Sequence, residues 1–208
     1  MGESAVSTSY QYEPMPFPFN KTTFCRYEPI EKKINSARVL IVNDLLRYDT
    51  DLSELAKDEW NGTAEQKLRF ERKISGMACD NIAKNVQRLV KNPKVLTVHL
   101  SEITGAVEQF RPDAIVMSGT LSDFDYYNPE QLATFAEFIQ TTTLPVLGIC
   151  GAHQLISMAF GGSLTTLDDL SPAEKRTGRI NEHQYRFVKV IDKADPIFDG
   201  IADLNSGK

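Results

Sequence analysis

Cysteine, histidine and tryptophan are scarce in this chain, with 3, 3 and 1 among 208 residues. Cys25, Cys79 and Cys150 form an odd, widely spaced set with no C-x-x-C and no Cys/His ligand spacing, which argues against a disulfide framework and a structural zinc site. No metal or other cofactor is expected, and cysteine chemistry would involve one thiol. Long apolar runs are missing too. None approaches the ~20 residues that span a bilayer, and residues 1–33 lack the uninterrupted apolar stretch of a signal peptide. A cytoplasmic protein with no membrane partner is expected. Basic charge is also in deficit: 23 Lys and Arg stand against 28 Asp and Glu, a net charge of −5, so nucleic acid is not an expected partner.

What is present suits a soluble domain with additions. Hydrophobic residues make up 41% of the chain, enough for one sizeable core at this length. Residues 1–36 read as an irregular arm, since Pro14, Pro16, Pro18 and Pro29 are scattered among aromatics with no period of 2 or 3.6. Residues 37–208 read as the domain proper, opened by the buried strand Ala37–Val42 and interrupted by a helical insertion at about 49–92. Within that insertion, Thr63-Ala-Glu-Gln66 offers a capping box. Phe70, Ile74, Met77, Ala78, Ile82, Val86 and Leu89 give one apolar stripe for covering a sheet, and Gly76 is a possible bend.

The pattern then alternates. Strand 94–100, helix 101–110, strand 113–117, a helix opening at Asn128-Pro129, strand 144–149 and helix 151–160 follow in turn. Such alternation predicts an α/β fold, a doubly wound and mostly parallel sheet with helices on both faces. A further strand is expected at 185–191, followed by a turn at 195–200.

Cys150 stands where the last buried strand of that series passes directly into a helix. In an open α/β sheet the carboxyl ends of strands are where ligands bind, and a helix N-terminus favours a thiolate. A nucleophile on such an elbow needs small neighbours two positions away on either side, supplied here by Gly148 and Ala152, and the N–H of Gly151 could meet a developing oxyanion. A buried cysteine acting as a small hydrophobe is the alternative.

The segment Pro145-Val-Leu-Gly-Ile-Cys-Gly-Ala-His-Gln154 resembles the nucleophile motif of class I glutamine amidotransferases. Weaker likeness extends over Arg38–Val42, Asp113–Gly119 and Asp195–Gly200. The resemblance implies a flavodoxin-like fold in which Cys150 attacks the side-chain amide of L-glutamine, forms a glutamyl thioester and releases ammonia to a synthase or other acceptor protein. It implies that Gln154 binds the substrate and that the oxyanion rests on the backbone at Gly119, Thr120 and Gly151.

Three positions depart from the family pattern. Ala152 and Thr120 replace glycines, and the His-x-Glu pair that completes the family's triad is found nowhere in the 208 residues, as if the C-terminal part were incomplete. His153 and His99 read as packing or hydrogen-bonding residues and His183 as solvated, so none is a candidate base. Asp123 and Asp125 read as loop caps. Two rival readings are a non-catalytic domain of the same fold that binds or regulates a partner, and a γ-glutamyl hydrolase or cysteine peptidase of related fold.

Overall fold

The computed structural model describes residues 34–165, 192 and 194–196. The chain divides into two compact units, Met1–Gly162 and Ser163–Lys208, and every element described below belongs to the first. The expected strand at 185–191, most of the turn at 195–200 and His183 lie outside the described residues.

Four parallel strands form one sheet: β1 (Ile34–Asn43), β2 (Val90–His99), β3 (Ala114–Met117) and β4 (Val146–Gly148), in the order β2-β1-β3-β4. The first strand pairs with β2 from Ile34↔Val90 to Asn43↔His99 and with β3 from Val39↔Ala114 to Val42↔Met117. Helices α1 (Glu54–Glu59) and α2 (Ala64–Leu89) join β1 to β2. Helix α3 (Ile103–Phe110) joins β2 to β3, α4 (Pro129–Thr141) joins β3 to β4, and α5 (Gly151–Ala159) follows β4. Strand order therefore reverses direction between β1 and β3, a doubly wound arrangement whose switch point is a ligand-binding crevice in folds of this kind. This is the expected α/β architecture.

Strand periodicity explains the two faces. Leu40, Val42, Ile115 and Met117 point one way and are buried with Ile103, Phe135, Ile139, Ala152 and Leu155 from α3, α4 and α5. Val39 points the other way and packs with Val86 and Val90 at the end of α2. Pro93 lies in β2, an edge strand among the described residues, the place in a sheet where proline is tolerated. A separate apolar cluster built from Leu46, Leu52, Ala56, Trp60, Leu68, Tyr126 and Tyr127 ties α1 and α2 to the loop after β3.

Helix signals held unevenly. Asn128 caps α4 by accepting from the Glu130 N–H at 2.9 Å, with Pro129 in the first turn. Thr63 makes no such cap; its hydroxyl donates to the Trp60 carbonyl at 3.1 Å. Gly76 does not split α2, which runs unbroken for 26 residues. The apolar stripe also departs from expectation. Val86 is buried, but Phe70 and Met77 are 59% and 63% exposed, while the inward face carries Leu68, Glu71 and Cys79. Glu71 faces inward because its carboxylate accepts from the Leu46 N–H at 2.9 Å and from the Ser122 hydroxyl, so hydrogen bonding sets the rotation of the helix here.

Candidate active site

Because all strands are parallel, their carboxyl ends share one edge. Asp44 after β1, His99 ending β2, Ser118–Thr120 after β3 and Cys150 after β4 are placed there in turn. Cys150 takes φ 55° and ψ −120°, a left-handed conformation for a non-glycine residue, as the N-cap of α5. Such a conformation costs on the order of 1–3 kcal/mol and persists only where its surroundings impose it. They do so here. A methyl on Gly148 would stand 2.7 Å from Ile156 Cδ1 and 2.9 Å from the backbone of Ala152 and His153, so strand and helix meet too closely for any side chain. The turn leaves Cys150 exposed.

The loop after β3 packs against this elbow. Gly119 has φ 97°, and a methyl there would lie 2.6 Å from the Ile149 carbonyl and 3.1 Å from Cys150 Cβ. Thr120 stands over Gly151, where any side chain would run into the threonine hydroxyl. The structure thus brings Gly119, Thr120, Cys150 and Gly151 together. Gly151 heads α5, so its N–H has no intrahelical acceptor by position. Gln154 is exposed on the same helix.

Asp44 is the residue that sequence reasoning missed. Fully buried at the switch point, it accepts from the Gly119 N–H at 3.2 Å, and its own N–H donates to Ser118 Oγ at 3.2 Å. The Tyr127 hydroxyl donates to the Asp44 carbonyl at 2.8 Å. Burial outweighs the bonds from Gly119 and Ser118 and pushes the carboxyl up to about 8. Its Oδ1 has no hydrogen-bond partner among the described residues. The signal available in the sequence was its position, an acid immediately after a buried strand on the ligand edge.

Of the remaining candidates His99 alone takes the hydrogen-bonding role expected of it, while Asp123 precedes the turn at Phe124–Tyr126 without a side-chain cap. His99 is buried; the Ser101 N–H donates to its Nδ1 at 3.3 Å, so Nε2 carries the proton and donates to the Leu45 carbonyl at 3.1 Å. Burial lowers its affinity for a proton despite Asp51 at 3.7 Å. With both ring nitrogens committed, it is a structural residue. His153 is exposed on α5. Cys79 is buried in α2, and burial raises its thiol above the ordinary range, leaving it protonated and shielded. Among the described residues no group of three or more His, Cys, Asp or Glu could hold a metal ion, and no helix is long and apolar enough to cross a membrane.

The sequence model of class-I glutamine amidotransferases matches residues 78–203, a stretch that includes β3, β4, the elbow and α5. The chain belongs to this family. Among its relatives are GMP synthase [glutamine-hydrolyzing] subunits A from three organisms. That of Methanococcoides burtonii is 30% identical over 87 residues, 42% of each chain. That of Methanothermobacter thermautotrophicus is 35% identical over 63 residues, 30% of this chain and 31% of the relative. That of Methanosphaera stadtmanae is 25% identical over 135 residues, 62% of this chain and 63% of the relative. The chain thus spans less than two thirds of the length of each. No solved structure matches at comparable stringency. Within the amidotransferase family, the elbow at Cys150 and the loop at Gly119 lie in the matched stretch, whereas α1, the start of α2 and Asp44 precede it.

Proposed function

We propose that this amidotransferase domain hydrolyses the side-chain amide of L-glutamine through Cys150 and passes the ammonia to a synthase partner. The observation that carries the reading is the left-handed Cys150 at the strand-to-helix elbow, exposed and abutted by Gly119. In the proposed reaction the Cys150 thiolate adds to the amide carbon, and the electron pair of the carbonyl moves onto oxygen. Collapse of the tetrahedral intermediate breaks the C–N bond, the nitrogen takes a proton and leaves as ammonia, and water then cleaves the thioester to glutamate. Gly151 N–H and the Gly119–Thr120 backbone are the proposed oxyanion donors, and Gln154 is the proposed substrate contact. The partner reading rests on relatives named as glutamine-hydrolysing subunits of GMP synthase.

No His-x-Glu pair stands in these 208 residues, so ammonia release by them alone is expected to be slow, and the test reads the thiol rather than turnover. An electrophilic glutamine analogue, 6-diazo-5-oxo-norleucine, followed by peptide mass mapping, should modify Cys150 and leave Cys25 and Cys79 untouched. Equal modification of the three thiols would contradict the reading.

One observation favours a second reading, a non-catalytic binding or regulatory domain. The Gly119 N–H is already taken by Asp44 and the Thr120 hydroxyl crowds Gly151, which limits the donors free to meet an oxyanion. Absence of any Cys150 modification at saturating analogue would support it.

A further inference from the structure

The helices before β2 help to build a pocket whose lining includes none of the elbow residues 148–152. A space of about 700 Å³ opens between the first turns of α2 and the segment after the 118–120 loop, a volume in the range of small-molecule sites. Part of its wall is aromatic and apolar: Trp60 and Tyr126, both buried, form a tilted pair with ring centroids 4.9 Å apart, and Phe70 and Leu121 contribute side chains that are 59% and 54% exposed. Two large apolar side chains left wet inside a concavity gain free energy from any flat ring that covers them.

Charge narrows the choice of ligand. Lys67 is the cation in the lining, its ammonium 4.3 Å from the centre of the Trp60 ring, and no carboxylate among the described residues pairs with it. Two acids face it. Glu71 has both oxygens engaged, by the Leu46 N–H and the Ser122 hydroxyl. Asp123 also lines the space and opposes a second negative charge. One unpaired ammonium beside an aromatic wall, with an acid near by, suits a ring carrying one negative charge better than a dianionic phosphate.

We propose that this pocket binds a planar aromatic monocarboxylate, with the ring against the exposed Phe70 and Leu121 and the carboxylate on Lys67, whose ammonium lies over the buried Trp60 ring. Trp60 is the only tryptophan in the chain, so its emission reports on this site directly. The test is a titration of the full chain with cinnamate, its neutral amide cinnamamide and the dianion phenyl phosphate. Cinnamate should give a saturable change in Trp60 emission. The midpoint should rise roughly tenfold for cinnamamide and for cinnamate on Lys67→Gln, the scale of one charge-assisted contact, and phenyl phosphate should bind more weakly than cinnamate. Lys67 is exposed, so its replacement leaves the fold intact. Cys150→Ser should titrate like the wild type, which keeps this result separate from any failure of the glutaminase reading. No saturable change with cinnamate, equal midpoints for acid and amide, an unmoved midpoint in Lys67→Gln, or phenyl phosphate binding as tightly as cinnamate would each overturn the proposal.

Discussion

At the scale of single residues, the geometry around Cys150 rests on positions that tolerate no added atom. Gly148→Ala would press a methyl against the α5 backbone at 2.9 Å, and Gly119→Ala would combine a φ of 97° with a 2.6 Å approach to Ile149 O. Each is expected to lower stability by roughly 1–3 kcal/mol, measured by urea unfolding, and to slow modification of Cys150. Asp44 gives a pH signature. Its carboxyl titrates at about 8 when folded against an ordinary 3.8, so the folded state holds the proton more tightly. The resulting stabilisation is complete below pH 3.8 and is lost as pH rises towards 8, at up to about 1.4 kcal/mol per pH unit from this one group. Asp44→Asn cannot ionise and should flatten that limb of the unfolding curve; an unchanged slope would show that Asp44 is already charged at neutral pH.

At the scale of elements, one face of the sheet is the better defended. Phe135 of α4 is buried against Leu40, Val42, Ile115 and Met117, and Phe135→Ala is expected to cost about 3–5 kcal/mol. Phe70 lies on the outer side of α2, and Phe70→Ala should change stability by less than about 0.5 kcal/mol. The contrast shows where sequence periodicity succeeds and where it stops. β-Branched runs such as Arg38–Val42 and the Asn128-Pro129 start of α4 state their structure locally, and both elements form as expected. The stripe through Phe70 and Met77 is equally periodic, yet α2 turns Glu71 inward instead, because the Leu46 amide and the Ser122 hydroxyl, 25 and 51 residues away, offer hydrogen bonds that a local pattern cannot display.

At the scale of the whole molecule, four parallel strands place Asp44, Gly119 and Cys150 on one edge. The position of Cys150 was legible because a strand-to-helix junction with small neighbours marks it in the sequence, whereas the Gly119–Thr120 loop was picked out by resemblance to the amidotransferase family. The bond from Gly119 to Asp44 was not, since it joins residues 75 positions apart across the reversal of strand order. The proposed glutaminase chemistry requires glutamine to occupy a site at the thiol of Cys150. The direct measurement is the rate of Cys150 modification by 6-diazo-5-oxo-norleucine in the presence of increasing L-glutamine, with D-glutamine as the control. Saturable slowing by L-glutamine, little effect of D-glutamine, and loss of all modification at this position in Cys150→Ser are expected. A rate indifferent to L-glutamine would contradict the proposed chemistry.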